Sequence, residues 1–301
     1  MTSINPAIVS IGDRIFPGNF SLHSRFKRAV NFTDGDAIIA LVAEEIGPGP
    51  VNIVVRGIDL AGVSSLRIDD KTIRIGERSF AYDRDLIFNS RINCGRIEGG
   101  KLAARLRYFE EALLNLSSPS SLAFLIDPDR RAYFKSSFEK NFAAAVEGAV
   151  RLLFNQDGDP SSPGDKVIAG VKKIKGLGFG LTPSGDDFIA GLLAALNLLE
   201  CMDGDDRKDL KREIAAAARG GNPLSNSFIT LARDGFFFEG LRRLISSLLR
   251  GNKDQVRSAA KDLLAHGQTS GADMGVGLLL TLKYCTTGKK ISSAAPLGGL
   301  I

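Results

Sequence analysis

The hydrophobic period of this chain changes once, close to Glu98-Gly99-Gly100, and that change limits the fold more than any other feature. Before it, short runs rich in Val, Ile and Phe alternate with polar residues, which is the pattern of strands. The runs are 7–16, 24–32, 37–43, 52–56, 66–68, 72–75 and 79–82, separated by Phe16-Pro17-Gly18-Asn19, Asp34-Gly35-Asp36, Gly47-Pro48-Gly49-Pro50 and Asp69-Asp70-Lys71. LRIDDKTIRIG reads as a tight hairpin with a polar tip. After residue 100 the apolar positions recur every three or four residues, as in Leu102, Leu106, Phe109, Leu113 and Leu116, or Phe134, Phe138, Phe142 and Val146. Further helices are expected over 166–175, 188–200, 207–219, 227–232, 238–249, 253–266 and 274–284, with a polar Pro/Gly loop at 156–165. The expected architecture is α+β. A small antiparallel β barrel or sandwich occupies 1–98, a mainly α-helical domain 99–288, and a flexible tail 289–301.

Composition excludes several functions. The longest apolar stretches, Phe188–Leu199 and Val276–Leu282, are shorter than the roughly 20 residues that span a bilayer. The start, MTSINPAIVSIGDR, lacks the basic and apolar blocks of a signal peptide. The three cysteines, Cys94, Cys201 and Cys285, form no CxxC pair, so neither a disulfide scaffold nor a Cys-based zinc site is expected, and the cytoplasm is the expected location. With only His23 and His266 there is no multi-histidine metal site. Residues 1–100 balance 12 basic against 12 acidic side chains, so the remainder supplies the whole net charge of +5. Its basic clusters are short and read as solvated helix faces rather than a nucleic-acid surface.

One pattern stands out in the helical half. The segment from Pro183 to Leu196, PSGDDFIAGLLAAL, aligns without gaps with Thr269 to Leu282, TSGADMGVGLLLTL, at seven identical positions of fourteen. Each begins with a polar Ser-Gly-x-Asp and continues as an apolar helix. A capping box accounts for the spacing, with Ser184 or Ser270 as N-cap and Asp187 or Asp273 three residues on; Thr182 as cap with Pro183 at N1 is an alternative start. A site accounts for more. Gly176-Leu177-Gly178-Phe179-Gly180 precedes the first segment, His266-Gly267-Gln268 precedes the second, and Asp186-Asp187 is more acid than a cap requires. Two such helix starts facing each other would enclose a polar pocket. There the amides favour an anionic or carbonyl oxygen, while the carboxylates demand an N–H donor or a divalent cation, with Mg²⁺ the candidate.

In that reading Asp186, Asp187 and Asp273 hold an amide or a metal, and His266 is either a general base or a surface histidine at a helix end. Thr182, Ser184 and Ser270 donate hydrogen bonds, and the amides of Gly178, Gly180 and Gly271 receive anionic oxygens. Asn222-Pro223-Leu224-Ser225-Asn226-Ser227 lies between the two units in sequence and supplies a third wall, with Ser225 or Asn226 as helix cap. The lysines before the glycine run, Lys172, Lys173 and Lys175, cap a helix C-terminus or add positive charge beside the pocket.

GLGFGLTPSGDDFIAGLLAAL, NPLSNSFITLARDG and HGQTSGADMGVGLLL, in that order, resemble the AllH-like family, and HSRFKRAVNF and GPGPVNIVV in the first hundred residues are similar to it as well. The resemblance implies a subunit of the oxamate carbamoyltransferase of purine and allantoin breakdown, which moves a carbamoyl group between oxamate and phosphate and yields carbamoyl phosphate in the degradative direction. It also implies FdrA-like and AllG-like partner subunits. The chain lacks the Ser-Thr-Arg-Thr phosphate loop and the alternating βα pattern of the aspartate- and ornithine-type transcarbamoylases, so such chemistry requires a different site. Oxamate, a carboxylate joined to an amide, matches the mixed demand of the expected pocket. The rival readings are a non-catalytic assembly subunit and a metal-dependent hydrolase using Asp186 and Asp187.

Overall fold

A computed structural model describes residues 7–94, 100–154, 163–288 and 291. The expected boundary at 98/99, most of the loop at 156–165 and the tail apart from Ile291 lie outside the described residues. The chain divides into two compact units, one drawn from Met1–Ile92 with Phe236–Arg242, the other from Asn93–Gly235 with Arg243–Ile301.

Among the described residues the first unit is one sheet of nine strands: β1 (Ala7–Gly12), β2 (Gly18–Arg25), β3 (Ala29–Thr33), β4 (Ile38–Ala43), β5 (Asn52–Arg56), β6 (Ser65–Ile68), β7 (Thr72–Ile75), β8 (Arg78–Ala81) and β9 (Ile87–Phe88). Their spatial order is β8-β7-β6-β2-β3-β4-β5-β1-β9. The expected barrel or sandwich is therefore corrected to a single curled sheet whose two end strands do not pair with each other. It is also mixed rather than purely antiparallel, because β4–β5 and β1–β9 run parallel. The Gly47-Pro48-Gly49-Pro50 stretch makes no hairpin. It carries the chain back along β4 before β5 begins, with Ala40 N bonded to Val51 O at 2.9 Å.

The run expected at 24–32 as one strand is two. Phe26 N bonds Ala29 O at 2.7 Å, so the chain turns over the charged Lys27-Arg28 tip between β2 and β3. The hairpin of LRIDDKTIRIG forms as read, with Ile68 opposite Ile73 and Leu66 opposite Ile75. Alternate residues of these strands enter a core of Phe20, Val30, Phe32, Leu41, Ile53 and Leu66. Phe236–Arg242 completes the unit: Phe237 N bonds Ser90 O, and the guanidiniums of Arg14 and Arg91 lie 4.5 and 4.2 Å from the Phe236 ring centre.

The second unit is helical: α1 (Leu102–Leu116), α2 (Ser137–Phe154), α3 (Pro163–Ile174), α4 (Ser184–Asp203), α5 (Lys208–Ala218), α6 (Pro223–Arg233), most of α7 (Glu239–Arg250), α8 (Lys253–Leu264) and α9 (Ser270–Thr286). A 3-10 helix, Leu122–Leu125, lies between α1 and α2. From Ser184 to Leu199, α4 is buried on every face, the mark of a helix at the centre of a helical layer. α9 is the other such helix, and the two cross at their glycines. A Cβ on Gly191 would stand 2.0 Å from Met274 O, and one on Gly277 would stand 2.1 Å from Phe188 O. In the sequence alignment Phe188 corresponds to Met274 and Gly191 to Gly277, so the contact is reciprocal.

The cysteine expectation is corrected: Cys94 and Cys201 form a disulfide with Cα atoms 5.1 Å apart, joining residues 107 positions apart. Spacing alone carries no sign of so distant a pairing. Among the described residues no helix is long and apolar enough to cross a membrane.

Candidate functional site

The duplicated pattern is longer in space than in sequence. α3 leads through a turn into α4, and α8 leads through a turn into α9. Gly176, at φ 71°, and Gly267, at φ 67°, open the two turns in the left-handed region. Gly185 then packs on the last carbonyl of α3, where a Cβ would meet Ile174 O at 1.9 Å; Gly271 packs likewise on Leu263 O at 1.9 Å. Glycine at the second position of each motif is thus dictated by a main chain pressed against the end of the preceding helix.

The serines do not cap their own helices. Ser184 and Ser270 are the first helical residues, Pro183 and Thr269 occupy the N-cap positions, and neither helix has a side-chain cap bond. The capping-box reading fails for that reason, and the side chains are used across the pair instead. Thr182 Oγ1 donates to Asp187 Oδ2 at 3.1 Å and lies 3.2 Å from Ser270 Oγ, so the two helix starts meet. Ser270 of α9 and Thr182 ease the charge of Asp187 on α4, while Ser184 of α4 and Thr269 ease that of Asp273 on α9.

Asp187 and Asp273 are 2% and 0% exposed. Burial, then the neighbouring Asp273 charge, pushes Asp187 well above the usual carboxylate range. Burial pushes Asp273 up to about 7, against the lowering effect of the Leu122 N–H, which donates to Asp273 Oδ1 at 2.7 Å. Asp273 Oδ2 is buried with no hydrogen-bond partner among the described residues. Two facing carboxyls in a dry interior cannot both ionise near neutral pH, so the pair retains a proton.

The other expected residues divide. Asp186 turns away from Asp187 and accepts from Gly176 N at 2.7 Å, closing the α3–α4 turn. The Gly271 amide, expected to face an anion, donates to His266 O at 2.9 Å. His266 lies in the α8–α9 turn, and burial pushes its imidazole down to about 4. Gly178 and Gly180, at φ 124° and 98°, form the loop above Ser184, and a Cβ on Gly178 would stand 2.5 Å from Ser184 N. The loop also carries exposed Phe179 and Leu181. Asn222, not Ser225 or Asn226, caps α6, accepting from the amides of Leu224 and Ser225. Its Nδ2 donates to Leu181 O at 2.6 Å, which brings the α6 start against the glycine loop. Asn226 holds both polar groups of the Gly220 main chain, and Ser225 is buried with its hydroxyl unpartnered among the described residues. Lys175 binds the carbonyls of Ala217 and Arg219 at the end of α5, the capping use of that lysine cluster.

Sequence reasoning missed Thr269 and the Leu122 amide, and it gave the α6 cap to Ser225 or Asn226 instead of Asn222. Thr269 and Asn222 adjoin residues already singled out, and their short polar side chains before a helix were a usable signal. A main-chain donor leaves none. The open pocket expected between the motifs is corrected to a packed polar interior under a partly exposed loop. Of the hollows present, one of about 540 Å³ lies beside Arg25, Lys27, Ile58 and Asp59, and one of about 430 Å³ beside Lys101, Tyr108, Arg250 and Lys253.

Among the described residues no three His, Cys, Asp or Glu side chains converge as for a metal ion. Mg²⁺ keeps several waters beside one or two carboxylates, and a carboxyl pair this enclosed and this reluctant to ionise does not fit it.

No curated protein and no solved structure matches the chain. A protein family described as oxamate carbamoyltransferase subunit AllH matches residues 174–282, the span that holds both Ser-Gly-x-Asp helix starts and the α6 start between them. That span, 109 of the 301 residues, is similar to the AllH family.

Proposed function

We propose that this chain is the AllH-type subunit of an oxamate carbamoyltransferase, working in the cytoplasm with FdrA-like and AllG-like subunits, and that the Asp187–Asp273 pair holds the amide of a small acid such as oxamate. The observation that carries this reading is the carboxyl pair itself, buried between α4 and α9, where burial raises both groups and so favours one shared proton. Such a pair offers one donor and one acceptor, the complement of a primary amide. In carbamoyl transfer to oxamate, the amide nitrogen bonds to the carbamoyl carbon and that carbon's bond to the phosphate oxygen breaks. The nitrogen loses a proton, and a carboxylate beside its N–H takes it. The hydroxyls of Thr182, Ser184 and Ser270 adjoin the same point.

A ligand reaches this interior only if the loop at 178–182 moves. The loop has glycines in the left-handed region at Gly178 and Gly180, and it is held by Thr182 and by the Asn222–Leu181 bond. Titration calorimetry with oxamate and with carbamoyl phosphate, with and without Mg²⁺, tests the reading on the chain alone and on the complex reconstituted with both partner subunits. Binding of oxamate supports it. Absence of binding in every combination removes it.

The near-complete burial of both aspartates favours a second reading, in which the pair only locks α4 to α9 in an assembly subunit. Asp187→Asn separates the two. A site role predicts lost oxamate binding at nearly unchanged melting temperature, and a locking role predicts lower melting temperature with binding kept.

A further inference from the structure

The two halves of the carboxyl pair come from the same sequence unit, yet a third element makes them unequal. Leu122, the first residue of the 3-10 helix, gives its N–H to Asp273 Oδ1 at 2.7 Å. A main-chain N–H can only donate, so this bond is worth most to an ionised carboxylate. The corresponding partners of Asp187 are hydroxyls, those of Ser270 and of Thr182, the latter at 3.1 Å. A hydroxyl donates or accepts by rotating, and that of Thr182 has Ser270 Oγ 3.2 Å away as a second partner, so it serves a protonated acid equally well. Asp273 Oδ2 is fully buried and meets no partner at bonding geometry among the described residues, although the Ser184 and Thr269 hydroxyls adjoin the same carboxyl, so it can still accept from a ligand N–H.

We propose that the shared proton resides on Asp187, placed there by the Leu122 amide on Asp273, so that the pair reads a primary carboxamide in one orientation and refuses a carboxylate. The carboxamide oxygen faces the Asp187 O–H on the α4 side, and its N–H faces Asp273 Oδ2 on the α9 side. A carboxylate in the same place would set one of its oxygens against the Asp273 carboxylate. The ligand half of this proposal rests on the function proposed above; the location of the proton does not. Burial raises both carboxyls above the usual carboxylate range, so each holds a proton more readily than an exposed aspartate.

Carboxyl-carbon NMR of the full chain labelled at aspartate, titrated from about pH 4 to about pH 9, locates the proton. One buried carboxyl is expected to stay protonated at about pH 8, to vanish from the spectrum in Asp187→Asn and to persist in Asp273→Asn. The reverse pattern, or no carboxyl protonated at that pH, overturns the proposal.

Leu122→Pro tests the cause. It deletes the N–H at a first helical position, where proline is accepted, and Ser121 at φ −75°, ψ 170° has the extended backbone that a following proline requires. Leu122→Ala loses the same buried side chain but keeps the N–H. The Asp273 titration is expected to move up by about one pH unit in Leu122→Pro relative to Leu122→Ala. Equal titration in the two overturns the role of Leu122. If Leu122→Pro does not fold, the Leu122 amide proton of the parent chain decides the cause: its NMR shift is expected to move downfield as Asp273 ionises, and a shift that does not follow that titration overturns the role of Leu122.

Calorimetry completes the test. Oxamate is expected to bind roughly tenfold or more tightly than oxalate at about pH 8, with the gap closing as Asp273 takes up a proton at lower pH. Equal binding at about pH 8 overturns the ligand half. Binding of neither ligand removes that half together with the function proposed above, and the NMR titration still decides where the proton lies.

Discussion

Asp273 and His266 sit on either side of one helix start and push stability in opposite directions with pH. The Asp273 carboxyl ionises near 7 in the folded chain and near 3.8 as an ordinary aspartate, so the folded state holds the extra proton between those values. Its contribution to stability is complete below about pH 4 and drains away as pH rises through about 7, by on the order of 4 kcal/mol. Asp187, raised by the same burial, acts in the same sense. His266, lowered from 6.5 to about 4, is the reverse: the unfolded chain binds the proton first, so stability is lost as pH falls from about 6.5 through 4. Asp273→Asn is therefore expected to be more stable than the parent chain at about pH 8, and to lose the decline between about pH 5 and pH 7 in urea unfolding. His266→Asn is expected to lose the decline on the acid side; a midpoint that still drops toward about pH 4 as in the parent chain would contradict the assignment. The residues that meet here were legible, since Asp187, Asp273, Ser184 and Ser270 were marked by the duplicated motif and Thr182 by its place just before it as an alternative cap. The uses of Asp186 and Gly271 were not, because each bonds a main-chain group of the turn before its own helix, and only the folded turn brings that group near.

α4 and α9 show what hydrophobic pattern reveals and what it hides. Both read as apolar helices, and both are; yet a helix apolar on every face does not say which side meets its partner. The reciprocal glycines decide that. Gly191→Ala or Gly277→Ala sets a methyl against a main-chain carbonyl that cannot yield, so each is expected to cost about 2 kcal/mol or more in chemical unfolding. Gly148→Ala on α2 has open space and is expected to gain about 0.5–1 kcal/mol by easing the same helix's entropy cost. Equal effects at the three positions would mean that α4 and α9 do not cross at Gly191 and Gly277. Among the strands, the Asp69-Asp70-Lys71 hairpin announced itself through polar tip residues and alternate isoleucines. The turn over Phe26-Lys27-Arg28 did not, because it lacks glycine, proline and asparagine and sits inside an alternating run. The parallel β4–β5 pairing was equally silent, since its eight-residue connection looks like any loop rich in turn formers.

At the scale of the whole molecule, two links act over distances that no local pattern records. The Cys94–Cys201 disulfide ties the chain just before α1 to the last turn of α4. Closing so long a loop is expected to add about 2–4 kcal/mol, which dithiothreitol or Cys94→Ser should remove in parallel urea titrations. Identical midpoints with and without reductant would show that the link is not formed in solution. The other is the return of Phe236–Arg242 to the strand unit, where Phe237 is 2% exposed and anchored to Ser90. A ribosome delivers that segment about 150 residues after β9, so at ordinary translation speeds the nascent sheet waits roughly 7–30 s for its missing piece. During that interval it is exposed to proteases and chaperones, and shortened versions of the gene that stop before residue 236 would never end it.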